Sequence, residues 1–396
     1  MKGRYLQEMN RLHNKKRNEK ISSIIFIVII MGFLLMGVLG QFMIQDSLLQ
    51  GEQNEVVAPQ MEIKKVFYGE WQNEYENYVN NNIKIRNVLI PIRNQIMYSL
   101  FHTSPNSNIV LGKNNSIYEE KYVAVETQLY TTMREENIVS LVEKLQIIKE
   151  QLEKKGKYLF VYITPSKANI YPEDMPEKYV KFAPQERKVC NYKMFINQLD
   201  TTDIAYYDSV PTVVEMKKMG DYDVFPKTGT HWSGLTGALC GIELADSMEE
   251  QLGINLPEMS ISYEMVDTPP ASEDDIFSTL NLISQPDAQY EKAIYTVEDD
   301  DKDDITVLVR GGSFLGMSFN GPLIYNNYFS HSYYLENVIF RDSEESAATT
   351  FNEYVDLDIK EMVNDSDIIV LEVNQNCIDM MSFGFIDFLL EGDILE

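Results

Sequence analysis

The sequence predicts an α/β chain, a three-layer α/β/α domain with a mostly parallel sheet preceded by one transmembrane helix. Three observations carry that expectation. Residues 158–163, 305–309 and 368–373 are short, continuously apolar runs rich in β-branched and aromatic residues, as strands covered on both faces must be. Between them lie stretches with apolar residues at i, i+3, i+4 and i+7, the period of a helix packed along one side. Such alternation builds parallel sheets, because each crossover lays a helix on a face of the sheet. Residues 21–44 run for 24 positions without a charge, and a hydrocarbon core needs about 20 apolar helical residues.

Charge gives the apolar run an orientation. Residues 1–20 hold seven Lys or Arg against Glu8 and Glu19, a basic tail that stays cytoplasmic and places residues 46–396 outside. A cleaved signal peptide is the weaker reading, since Gly37-Val38-Leu39-Gly40-Gln41 lacks a small-x-small cleavage site. The expected organisation is therefore a tail at 1–20, an anchor at 21–44, a stalk and helical lead-in at 45–104, and the main domain at 105–396.

Hydrophobic residues at 44% supply a core, and a net charge of −27 argues against nucleic acid, whose phosphates require a basic surface. Three cysteines, Cys190, Cys240 and Cys377, make no disulfide framework and leave at least one without an internal partner. No metal or cofactor motif stands out. Residues 298–304 form an acidic run without the ligand spacing or turn glycine of a calcium loop, so a solvated face is expected.

In chain order, residues 71–101 read as helical, interrupted at Asn80-Asn81-Asn82 and broken or kinked again at Pro91. Residues 109–112 resemble a short strand entering a turn. Ile138, Leu141, Val142, Leu145, Ile148 and Leu152 form one face of a helix closed by Gly156. A strand at 204–207 precedes a helix over 210–219, and Leu235, Ala238, Leu239, Ile242, Ala245, Met248 and Leu252 predict a helix ending at Gly253. Residues 253–301 read as acidic and irregular.

The residues with chemical potential fall at strand ends and in loops, where ligands gather in open α/β sheets. His231 is the histidine set in a dense pattern, Thr228-Gly229-Thr230-His231-Trp232-Ser233-Gly234, on a loop entering a helix. Arg310-Gly311-Gly312-Ser313-Phe314 follows the strand ending at Val309, and its glycines allow a sharp turn that leaves a hydroxyl at the sheet edge. Ser313 is the candidate nucleophile and His231 the base that would take its proton. Backbone N–H groups at Gly312 and Ser313, in the turn begun by Gly311, are the candidate oxyanion donors.

Together these motifs resemble the AlgX/AlgJ family of SGNH-hydrolase-like polysaccharide O-acetyltransferases, in which an Asp-x-His-Trp motif precedes Gly-Asp-Ser-Phe, a permuted order for SGNH enzymes. The similarity extends through Tyr68-Gly69-Glu70-Trp71, Arg86, Val110-Leu111-Gly112-Lys113, Pro165-Ser166-Lys167, Tyr171-Pro172 and Glu372-Val373-Asn374. It implies an extracytoplasmic enzyme that takes an acyl group onto Ser313 and passes it to a hydroxyl of an exported polysaccharide. The acyl donor would come through a membrane-bound O-acyltransferase partner. Trp232 would support the histidine loop or a sugar face, with Thr230 and Asn374 as further supporting residues and tyrosines for sugar stacking. The acidic exterior would repel an anionic glycan such as alginate.

Two departures matter. The family's triad aspartate falls at Gly229 and the Asp of Gly-Asp-Ser at Gly312, which leaves a Ser–His dyad unless another group orients the ring. Candidates are the Thr228 or Thr230 hydroxyl, a backbone carbonyl, or a carboxylate from Asp208, Asp221, Asp223 or Glu372. The alternative is a catalytically impaired glycan-binding or scaffolding subunit.

Overall fold

The computed structural model describes residues 2–396 apart from 45–48, 50–55, 131, 271–272, 285–288, 299–301, 325–327, 336–337, 342–348, 351–353, 355–356, 392–393 and 396. Much of the expected stalk and the centre of the acidic run at 298–304 therefore lie outside the described residues. The chain divides into two units, Met1–Phe101 with Thr279–Gln285, and His102–Ser278 with Pro286–Glu396.

In the first unit one helix runs Lys2–Met43, so the basic tail and the apolar run share an element that no proline interrupts. Its segment Arg17–Met43 has a mean hydropathy of 2.8 and is long and apolar enough to cross a membrane. Core burial does not account for that segment, since Ile24, Phe26, Val28 and Leu34 stand exposed. Further on, Glu70–Asn82 and Arg86–Phe101 are separate helices, and extended backbone at Ile83 makes the break that the asparagine run foretells. The expected second break is absent: Pro91 lies inside the later helix. A proline removes one N–H bond, and the buried Asn94 side chain ties the following turn to the Leu280 carbonyl at 2.8 Å.

The second unit is organised by a sheet. Its chain contains β1 (Ile109–Leu111), β2 (Ile117–Glu119), β3 (Tyr158–Thr164), β4 (Ala205–Asp208), β5 (Glu258–Val266), β6 (Tyr290–Glu298), β7 (Thr306–Arg310), β8 (His331–Leu335), β9 (Val338–Arg341), β10 (Thr349–Thr350) and β11 (Ile368–Asn374). Seven of these pair in the order β10-β9-β8-β7-β11-β3-β4. The run from β4 to β8 is parallel, and β9 and β10 extend one edge antiparallel.

The continuous apolar runs are explained by what covers them. On β3, Leu159, Val161 and Ile163 face a core with Ile138, Leu145, Phe195, Val363 and Phe385, from helices on one side. Phe160 and Tyr162 face the opposite core, with Val213, Leu244, Met248 and Phe319. Alternate residues of one strand thus enter two different cores, and the unit is the expected three-layer α/β/α sandwich with a mostly parallel sheet. Each fully buried large apolar side chain contributes on the order of 1.5–3 kcal/mol, and strands and covering helices both supply them.

Residues 253–301 are not irregular. β5 and β6 pair antiparallel along their whole length, Glu258 opposite Glu298 and Val266 opposite Tyr290. Their apolar residues alternate with polar ones, and the apolar face is covered at Met259, Ile261, Tyr295 and Val297 but open at Tyr263 and Met265; the interleaved charges hide it from a search for apolar runs. The ribbon carries between its strands a short helix, Asp275–Thr279.

Candidate active site

His231 enters the site from the loop before the helix Gly234–Leu252, whose first turn is capped by Ser233 accepting from the Thr236 N–H. Ser313 stands on the turn after β7, at the carboxyl end of the parallel strands, with its side chain open to solvent. The two meet: His231 Nε2 is 2.7 Å from Ser313 Oγ. At the other end of the ring, Nδ1 is 2.7 Å from Asp275 Oδ2. A carboxylate there accepts only, which fixes the proton on Nδ1 and leaves the Nε2 lone pair for the serine hydroxyl.

Asp275 is the residue that sequence reasoning missed, and it corrects the expectation of a dyad. Its Oδ1 accepts from the Thr230 N–H at 2.9 Å and the Ile276 N–H at 2.8 Å, so one carboxylate holds both the histidine and its loop. Gly229 has no space for a side chain: a Cβ there would lie 2.7 Å from the Glu273 carbonyl oxygen and 3.1 Å from Asp275 Oδ1. The acid has been supplied from a different element, which occupies the space an aspartate at 229 would need. A faint signal existed in Glu273-Asp274-Asp275-Ile276-Phe277, acidic residues opening an apolar turn, a common start to a helix.

None of the other expected orienting groups reaches the ring. Asp208 caps the helix Ser209–Met219 and accepts from the Tyr192 hydroxyl, and Asp221 and Asp223 are exposed. The Thr228 hydroxyl donates to the Glu273 carbonyl at 2.8 Å. The Thr230 hydroxyl makes no hydrogen bond to the ring, and the Glu119 carboxyl near it is pushed up chiefly by burial. Glu372 braces the nucleophile turn, accepting from the Gly312 N–H at 2.8 Å and from the Thr164 hydroxyl.

That brace changes the oxyanion assignment. Gly311 donates to the Leu335 carbonyl and Gly312 to Glu372, so neither N–H is available to a substrate oxygen. Gly311 is instead required for close packing, since a Cβ there would lie 2.6 Å from Glu372 Cβ. Among the described residues none accepts a hydrogen bond from the Ser313 N–H, and Ser313 borders a pocket of about 170 Å³ lined also by Tyr122, Glu372, Asn374, Cys377 and Phe383.

Trp232 is fully buried, which removes it as a sugar platform. Its indole N–H donates to the Phe314 carbonyl at 3.1 Å, so the residue after the histidine is latched to the residue after the serine. Asn374 donates to the Pro165 carbonyl at 2.7 Å and accepts from the Asn376 N–H, holding the loops after β3 and β11 together. Below the histidine loop, the buried Lys167 ammonium reaches the carbonyls of Ile117, Pro226, Lys227 and Gly229 at 2.7–3.1 Å. Burial pushes its pKa down to about 7, opposed by the negative charges of Asp275, Asp174 and Asp223.

Residues 109–312, just over half of the chain, match the family model described as SGNH hydrolase-like domain, acetyltransferase AlgX. The chain belongs to this family. The match includes His231 and Asp275 and ends one residue before Ser313. Among curated relatives, the chain is 23% identical over 231 residues to the probable alginate O-acetylase AlgJ of Pseudomonas syringae pv. tomato, covering 56% of this chain and 55% of that protein. It is 23% identical over 211 residues to the protein of the same description from Pseudomonas fluorescens, covering 53% and 50%. The chain thus spans about half the length of the curated relatives it matches. A solved structure described as the O-acetyltransferase domain of Pseudomonas putida AlgJ matches 72% of this chain and 99% of its own, with a TM-score of 0.44 and 15% identity.

Proposed function

We propose that this member of the family is an extracytoplasmic, membrane-anchored O-acyltransferase that moves an acyl group, typically acetyl, onto hydroxyls of an exported polysaccharide. The observation that carries the reading is the unbroken line Asp275–His231–Ser313, with both contacts at 2.7 Å. In the first half-reaction Ser313 Oγ attacks the acyl carbonyl while His231 Nε2 takes the serine proton. The tetrahedral intermediate then collapses, and the donor's leaving group departs with that proton. In the second half a glycan hydroxyl attacks the acyl-serine, His231 takes its proton, and Ser313 leaves and is reprotonated. Asp275 keeps the imidazole in the useful tautomer and offsets the charge it gains. The Ser313 N–H is the oxyanion donor that the turn offers.

The acyl group is expected to arrive from a membrane-bound O-acyltransferase partner, as the family resemblance implies. On this reading residues 1–20 are a cytoplasmic tail, 21–44 an anchor, 45–104 a stalk and lead-in, and 105–396 the transferase domain. The alternative, a chain without turnover, starts from a missing acid; the Asp275 contact supports the enzyme reading over it. Purified full-length protein is expected to release acetate from an activated acetyl ester, and Ser313→Ala to abolish release. Equal rates in the two proteins would end the proposal.

A further inference from the structure

A cleft of about 450 Å³ lies beside the Ser313 pocket, within the roughly 300–1,000 Å³ usual for ligand sites. Its walls include Asn108, Glu119, Glu120, Lys121, Tyr130 and Asp379. Lys121 lines both the cleft and the Ser313 pocket, and Asp379 in one is followed by Met380 in the other. Glu119, in the cleft wall, lies close enough to His231 for their charges to interact. The cleft and the Ser313 pocket are therefore neighbours that share the Lys121 wall.

The wall chemistry suits a sugar of a particular kind. Amides and carboxylates pair with vicinal hydroxyls, and the half-exposed ring of Tyr130, held by its hydroxyl to Glu120 at 2.9 Å, offers an apolar face. Three carboxylates face a single ammonium, so the cleft carries an excess of negative charge.

We propose that this cleft is the acceptor subsite and that it takes a glycan whose units bear no carboxylate, rejecting uronates. The proposal rests on the acyltransferase reading for the step that follows binding. An acceptor hydroxyl from the bound sugar attacks the acyl-serine and yields its proton to His231, so no further co-reactant is consumed.

The test is a binding comparison on full-length protein in detergent, using β-1,4-mannohexaose and β-1,4-hexamannuronate. These have the same length and linkage and differ by a hydroxymethyl or a carboxylate at C6. The neutral probe is expected to bind about tenfold tighter at low salt, with the gap narrowing as salt is raised. Asp379→Lys, at an exposed position, is expected to shrink the ratio by about fivefold with the melting temperature unchanged. Equal or tighter binding of the uronate, a ratio indifferent to Asp379→Lys, or failure of both probes to bind at millimolar concentration would overturn the proposal. Acetate release to water needs no acceptor, so its absence would count against the acyltransferase reading alone, and the binding comparison would still judge the cleft.

Discussion

Asp275 acts through both of its oxygens, one on the imidazole and one on the backbone of the loop that carries it. Asp275→Asn keeps the shape but presents an amide that can favour the wrong tautomer, and a drop in kcat of about 10²–10⁴ is expected, read as acetate release with folding checked by circular dichroism. Loss of less than threefold would mean that the ring is oriented by something else. Glu273, beside it, is fully buried and accepts from the Gly234 N–H at the start of a helix. Burial raises its pKa from 4.5 to about 7. Between those values the folded chain holds a proton that the unfolded chain has lost, so this residue's contribution is present below pH 4.5 and lost as pH rises through 7. Thermal melts across that window are expected to fall by roughly 2–5 °C with rising pH, and Glu273→Gln to flatten the trend. Parallel curves for the two proteins would refute this.

At the scale of elements, the site is an assembly of three loops clamped from behind. The Trp232 indole joins the histidine and serine loops, and Lys167 joins the histidine loop to the β1–β2 hairpin through four carbonyls. Lys167→Met leaves those carbonyls without their donor in a buried place, and a loss of about 3 kcal/mol or more in denaturant unfolding is expected. An unchanged midpoint would show that water replaces the ammonium at little cost. The legibility of these elements differs for a physical reason. β3, β7 and β11 are covered on both faces and so announce themselves as apolar runs, and the helix after His231 shows its buried stripe at regular spacing. The β5–β6 ribbon is half exposed and heavily charged, so Met259, Ile261, Tyr263 and Met265 were masked by their neighbours. The acid was lost with it, because the short helix bearing Asp275 belongs to that ribbon.

At the scale of the whole molecule, Arg17–Met43 is apolar, exposed and preceded by basic residues, and by length and composition it is enough to cross a membrane. The full-length protein is expected to stay with membranes through alkaline carbonate extraction and to leave only with detergent. Appearance in the carbonate supernatant would remove the anchor. The net charge of −27 and the carboxylates of the cleft bear on solubility and on which glycans approach, not on the fold.

Local pattern was enough to specify the apolar segment, the central strands β3, β7 and β11, three of the covering helices, and two turns bearing an imidazole and a hydroxyl, because burial and turn chemistry act on residues near in sequence. β8, which joins the sheet at His331–Leu335, and the helices Asn191–Leu199, Ile359–Asp365 and Phe385–Leu390 carried no such pattern. Assembly alone decided which carboxylate completes the line. Asp275 lies 44 residues from His231, and 82 separate His231 from Ser313. Nothing in the spacing marks one acid among the many in this chain. Closure of the β5–β6 ribbon brings Asp275 to the ring and fills the space at Gly229, and both follow from packing that no local pattern encodes.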